Sequence, residues 1–194
     1  MTMARTAFRR THRMASLAIL AAGLLWSANA AAGQLYTSYN LFYENPQRVF
    51  SINYKKGVFL PAGTAVENIR IQRSGRYRQI AFTLKESNRT FHVNFTPKYH
   101  PGKSIQAFRD ALFGNRDFAA LTEGLAPAEI DAIRRGELVT GMSKRAVLIC
   151  YGPPPEHATP SLDTNTWIYW TSRLMRKLVA FGATGRVESF RSTP

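Results

Sequence analysis

The sequence predicts an α+β protein: a small β-rich N-terminal half, folded as a barrel or curved sheet, and a C-terminal domain of two helices and a three-stranded antiparallel sheet. Three observations carry this expectation. Apolar and polar residues alternate at period two between Gln34 and His100, which sets one face of each short strand on a core. The period turns helical from Ser104. From Pro127 onward, two capped helical segments precede three strand-like runs. A chain of 194 residues, 45% hydrophobic, suffices for one domain or two small ones with buried cores.

The first segment reads as an address. Arg5, Arg9, Arg10 and Arg13 precede the apolar run Leu17 to Trp26, with no acidic residue among them. Crossing a bilayer takes roughly 20 apolar residues, so this shorter run fits the core of a cleavable secretory signal. Ala28 and Ala30 supply the small-residue cleavage pattern, and the expected signal covers residues 1–32. A mitochondrial transit peptide would be amphipathic, whereas Leu17 to Trp26 is apolar all round. The single cysteine, Cys150, lies far from any cleavage site, so the mature chain is expected to be periplasmic, at most peripheral to the outer membrane, without a lipid anchor. One cysteine also excludes an internal disulfide, a zinc ribbon and a Cys-x-x-Cys redox site.

Residues 33–100 hold the β signals. Phe50, Ile52 and Tyr54 alternate with polar residues, as do Ile80, Phe82 and Leu84, and Phe91, Val93 and Phe95. Asn45-Pro46, Lys56-Gly57, Pro61-Ala62-Gly63, Ser74-Gly75 and Ser87-Asn88 mark the turns between about five short strands. The stretch from Lys56 to Val66 resembles the rhythm of small SH3-like barrels. Residues 101–126 are expected to be a helical linker. Ser104 can cap a helix there, with Ile105, Phe108 and Leu112 on one stripe, Arg109 and Asp110 off it, and Gly114 at its end.

The last part, 127–194, has the strongest local signals. Pro127 suits a first helical position, Ile130 and Ile133 share a face, and Gly136 can end the helix. Ser143 can cap a second helix, Met142 and Val147 have the spacing of a hydrophobic staple, and Gly152 can close it in the left-handed conformation before Pro153, Pro154 and Pro155. Thr166 to Trp170 reads as a strand with Trp167 and Tyr169 on one face and Ile168 and Trp170 on the other. Leu178 to Phe181 and Arg186 to Phe190 read as a hairpin turning through Gly182 to Gly185.

Gly141, Met142, Ser143, Val147, Gly152, Pro153, Trp167, Tyr169, Phe181, Gly185 and Val187 together resemble the pattern of the SmpA/OmlA domain, the BamE type of outer-membrane assembly protein, over about residues 127–190. The resemblance implies two helices on one face of a three-stranded sheet, no enzymatic activity, and a scaffold role in the β-barrel assembly machinery. This chain departs from it in lacking an acylated cysteine, in carrying the β-rich half, and in its longer insertion from Glu156 to Asn165.

Charge and chemistry narrow the function classes. The chain has 26 Lys and Arg against 12 Asp and Glu. Loss of the four signal arginines leaves 22 basic residues and a net charge of +10. Outside the cytoplasm such charge meets lipid headgroups, lipopolysaccharide or cell-wall polymers rather than nucleic acid. His92, His100 and His157 show no metal-binding spacing, Cys150 sits among apolar neighbours, and no phosphate loop or nucleophile elbow occurs. No catalytic residue, metal or cofactor is expected; an enzyme would require those three histidines to converge. Arg70, Arg73, Arg76, Arg78, Lys98 and Lys103 are candidates for contact with an anionic lipid or polysaccharide surface. Tyr151, Pro153, Pro154, His157, Trp170, Arg173 and Arg176 are candidates for binding a protein partner, and one face of the C-terminal sheet must find a cover other than the two helices. The expected function is that of a non-enzymatic scaffold or accessory factor in envelope biogenesis; the alternative is a periplasmic binding module for cell-wall or lipopolysaccharide anions.

Overall fold

Period-two alternation folds the N-terminal half into β1 (Leu35–Thr37), β2 (Leu41–Tyr43), β3 (Val49–Phe50), β4 (Val58–Leu60), β5 (Ala65–Ser74), β6 (Tyr77–Leu84) and β7 (Thr90–Phe95). Then follow α1 (Ile105–Leu112), β8 (Phe113–Gly114), α2 (Phe118–Thr122), α3 (Pro127–Arg135), α4 (Lys144–Tyr151), β9 (Thr166–Trp170), β10 (Arg176–Phe181) and β11 (Val187–Thr193). The computed structural model describes residues 33–194. The expected signal, residues 1–32, lies outside the described residues.

Six strands form one curled sheet in the order β3-β7-β6-β5-β1-β8, and β2 pairs separately with β4. The concave face buries Ile80, Phe82, Phe91 and Val93 against Ile105, Phe108 and Leu112 of α1. Burial of one such side chain stabilises by about 1.5–3 kcal/mol, so the segment expected to be a linker is part of this core. Its helix stops at Leu112 rather than Gly114, because Phe113 and Gly114 leave the helix to pair with Thr37 and Tyr36 of β1. α2, capped by the Asp117 carboxylate, was not expected.

The alternating run through Phe50, Ile52 and Tyr54 does not continue as a strand. β3 ends at Phe50, and Asn53 adopts a left-handed φ of 51° that reverses the chain. Along β5, only Ala65 and Val66 pair with β1. The pairing with β6 skips a register step between Glu67 and Arg70, where Asn68 has a φ of 54°. Among the described residues, the outer edge of β5 beyond the bulge therefore has no strand beside it.

In the C-terminal part, α3 and α4 lie over an antiparallel sheet of order β11-β10-β9. Ala132, Ile133, Met142, Val147, Trp167, Tyr169, Val179 and Phe181 share this second core. Pro127 opens α3, Gly136 closes it in the left-handed conformation, and Ser143 caps α4 through a bond from the Ala146 amide. Gly152 has a φ of 73° with a ψ of 178°, so it leaves α4 extended rather than left-handed; a Cβ there would lie 2.6 Å from the Tyr39 ring. β10 starts at Arg176, two residues before the expected Leu178, and β11 starts one residue later than expected and runs on to Thr193. Ile168 and Leu178, on the sheet face away from the helices, stay half-buried.

Two buried asparagines tie the cores together. Asn40 donates to the Ile133 carbonyl at 2.8 Å and accepts from the Ala62 amide at 2.8 Å. Asn53 accepts from the Phe42 amide at 2.8 Å and donates to the carbonyls of Asn40 and Tyr151 at 3.2 and 3.1 Å. The Lys55 ammonium also donates to the Tyr151 carbonyl, enclosed by the rings of Phe42, Tyr151 and Tyr169 at 5.2–5.3 Å, and burial lowers its pKa well below the ordinary lysine value. Residues 33–194 thus pack as one unit.

Candidate functional site

Four separated chain segments converge on one cleft. The end of β3 and the turn after it supply Phe50, Ile52 and Tyr54; β6 supplies Tyr77; the segment after β7 supplies Thr96, Lys98 and Tyr99; and the C-terminal part supplies His157, Trp170 and Arg173. The volume is about 680 Å³, inside the span of roughly 300–1,000 Å³ usual for small-molecule sites.

Local chemistry brings each wall into place. Pro97 opens a short 3-10 turn, Pro97–Tyr99, that folds Lys98 and Tyr99 back beside the sheet. The left-handed turn at Asn53 brings Tyr54 near Phe50, ring centroids 6.0 Å apart at 70°. The Lys55 amide donates to the Trp170 carbonyl at 2.9 Å, so this turn is fixed to the end of β9. The Thr159 hydroxyl accepts from the Ile168 amide at 3.0 Å and holds the Pro-rich insertion against β9. His157 consequently stacks on Trp170 at 6.0 Å and 17° and leans on Tyr99 at 5.3 Å and 48°.

The cleft is cationic. No carboxylate lines it, and neither Lys98 nor Arg173 forms an ion pair among the described residues. The Lys98 ammonium lies 4.8 Å from the Tyr99 ring centroid. Burial and the neighbouring Tyr99 hydroxyl push Tyr54 up to about 12, against the opposing charge of Arg173. The Trp170 indole N–H is enclosed without a partner among the described residues. Behind the cleft, Glu156 is engaged: His100 Nδ1 lies 2.6 Å away and the Lys103 ammonium contacts the other oxygen. Burial alone would raise this carboxyl, yet the bonds from His100 and Lys103 hold it down at about 2. A smaller depression of about 260 Å³ shares Phe50 and Tyr54 and is rimmed by Arg48, Lys56 and Glu44.

The expected partner-binding residues divide. His157, Trp170 and Arg173 meet in the cleft. Tyr151 and Pro154 are buried and offer no surface, because Tyr151 packs edge-on against Phe42 and Tyr169. Pro153 is half-buried. Arg176 sits on the strand with its guanidinium 5.7 Å from the Trp170 ring and donates to the Pro194 carbonyl at 3.1 Å.

The expected anionic-surface residues divide as well. Arg70, Arg73, Arg76 and Arg78 are all exposed on the β5–β6 hairpin, with Arg73 directly opposite Arg78. The Arg76 guanidinium lies 5.1 Å over Tyr77, which joins this hairpin to the cleft wall. Lys98 belongs to the cleft, whereas Lys103 is taken up by Glu156 and leaves the group. Phe50, Tyr54, Tyr77 and Tyr99 escaped sequence reasoning. Proline at 97 was the one local signal that Tyr99 turns back.

Other chemistry-bearing groups sit elsewhere. Cys150 is buried on the inner face of α4, its thiol pushed up to about 12 by burial, and donates to the Glu137 carbonyl at 3.3 Å. His100 is buried, stacked on Phe95, while His92 is half-buried on β7. Among the described residues, no three His, Cys, Asp or Glu side chains gather as a metal would require. Comparison with known protein families, with curated proteins and with solved structures returns no match to this chain.

Proposed function

We propose that this chain is a non-enzymatic cell-envelope protein, a scaffold or accessory factor in outer-membrane or envelope biogenesis that acts by contact with an anionic surface and with envelope proteins. One observation carries the reading. Arg73 faces Arg78 across the β5–β6 hairpin, Arg70 and Arg76 flank them, and no acidic residue occurs from Asn68 to Lys85. Like charges directly opposite cost stability, and an anionic partner relieves that cost. Each cation near an anionic membrane contributes about 1 kcal/mol, so the four arginines contribute about 4 kcal/mol at low salt. The attraction fades over a Debye length of about 10 Å at 0.1 M salt.

The resemblance of residues 127–190 to the SmpA/OmlA domain supports the envelope setting, as does the signal expected over residues 1–32. The half-buried Ile168 and Leu178 face offers a contact for a protein partner, which in that family belongs to the β-barrel assembly machinery. Co-sedimentation of the full chain with phosphatidylcholine vesicles, with and without phosphatidylglycerol, tests the surface contact. Binding should require the anionic lipid, weaken with salt, and fall when Arg70, Arg73, Arg76 and Arg78 are changed to Gln. Equal binding to both vesicle types at low salt would refute it.

A further inference from the structure

We propose that the cleft between the curled sheet and the end of β9 binds an anionic saccharide, a short glycan segment carrying carboxylate or phosphate. This inference stands on the cleft alone and does not depend on the hairpin or on vesicle attachment. Its volume of about 680 Å³ is enough to hold a small sugar segment.

The lining decides the ligand class. A pyranose ring presents an apolar C–H face and a rim of hydroxyls, and it packs against aromatic faces that carry polar tips. Tyr54, Tyr77 and Tyr99 supply such faces, Phe50 adds an apolar one, Trp170 backs the wall behind His157, and the tyrosine and Thr96 hydroxyls supply rim partners. A planar base would be better held between two parallel rings. Here the walls are tilted, Phe50 against Tyr54 by 70° and Tyr99 against His157 by 48°, while the one parallel pair, His157 and Trp170, is stacked on itself. Tilted walls suit a puckered ring.

The negative charge follows from Lys98 and Arg173. Both face a cleft without a carboxylate, and neither has an ionic partner among the described residues. The nearby carboxylate of Glu156 is already held by His100 and Lys103 and does not neutralise them.

Calorimetric titration of the full chain at fixed salt tests the assignment, with tryptophan emission followed in parallel and the part due to Trp170 taken from its difference from Trp170→Phe. The probes are trigalacturonate for the carboxylate source, a phosphorylated glucosamine disaccharide for the phosphate source, neutral galactotriose, and AMP. At least one acidic saccharide should bind about tenfold or more tightly than galactotriose, the effect of one charge-assisted hydrogen bond. Arg173→Gln, an exposed substitution that leaves the cores untouched, should weaken that binding about tenfold, and Lys98→Gln and Trp170→Phe should weaken it too. Changing Arg70 and Arg73 to Gln should leave saccharide binding unchanged while lowering vesicle binding, which separates this site from the hairpin. Equal affinity for acidic and neutral sugars, tighter binding of AMP, indifference to Arg173→Gln, or no saccharide binding at millimolar concentration would each overturn it.

Discussion

Replacing Asn53 by alanine tests how the two cores are held together. The side chain accepts from the Phe42 amide and donates to the Asn40 and Tyr151 carbonyls, all buried. Alanine leaves the Phe42 amide and the Asn40 carbonyl bare, whereas the Tyr151 carbonyl keeps the Lys55 ammonium. Two bare buried groups cost about 1–2 kcal/mol each, and alanine lacks the polar side chain that lets asparagine tolerate a φ of 51°, which adds about 1 kcal/mol. The expected loss is about 3–5 kcal/mol, which for a chain of this size lowers Tm by about 10 °C. Urea and thermal unfolding followed by circular dichroism read it, and the midpoint should fall at constant m-value. Asn53→Gly loses the same bonds without the backbone strain and should be milder. The double variant with Asn40→Ala should be less than additive, because both residues serve one network. A Tm drop under about 2 °C would show that the cores are joined by packing alone.

Glu156 and Cys150 give two further tests. With Glu156 held at about 2 in the folded state, below its ordinary value of 4.5, its contribution is complete above that ordinary value and is lost as pH falls toward 2. Glu156→Gln should therefore flatten the decline of Tm between about pH 5 and 2, and an unchanged acid limb would count against the His100–Glu156–Lys103 cluster. Glu129, whose carboxyl burial would raise but the Ser143 and Ala126 amides and Arg186 hold lower, adds to that decline and persists in the variant. Cys150, buried and with its thiol raised to about 12, should react with a disulfide reagent about a hundredfold or more slowly in the native protein than in urea. Fast native labelling would show that α4 opens.

The C-terminal elements were legible because their signals are local. A proline at the first turn, a serine cap, two glycines and an alternating aromatic run act within a few residues of themselves, and α3, α4 and β9 fall where those signals lie. The β-rich half was legible as texture but not as path. Nothing in the run from Phe50 to Tyr54 shows that Asn53 takes a left-handed turn, since the turn is dictated by buried partners such as Asn40 and Tyr151, the second of which lies 98 residues away. The same reason hid half of the cleft. Trp170, His157 and Arg173 sit close together in sequence and could be grouped, whereas Tyr54, Tyr77 and Tyr99 reach them only through tertiary folding. Aromatic residues on alternating runs look like core until a sheet edge turns them outward. The basic cluster was visible as composition, yet removing Lys103 from it required seeing Glu156 reach across.

The outer edge of β5 beyond its bulge, with no strand beside it among the described residues, bears on how copies of the protein treat one another. A strand margin rich in isoleucine and open to neighbours is a template on which further chains can stack. Ile69 and Ile71 would serve well, but Arg70 and Arg73 stand between and beside them. Two such margins brought together would crowd guanidinium groups against each other, and the kink at Asn68 prevents a flat fit. Neutralising those arginines, by substitution or by a polyanion in excess, should therefore trade solubility for self-association.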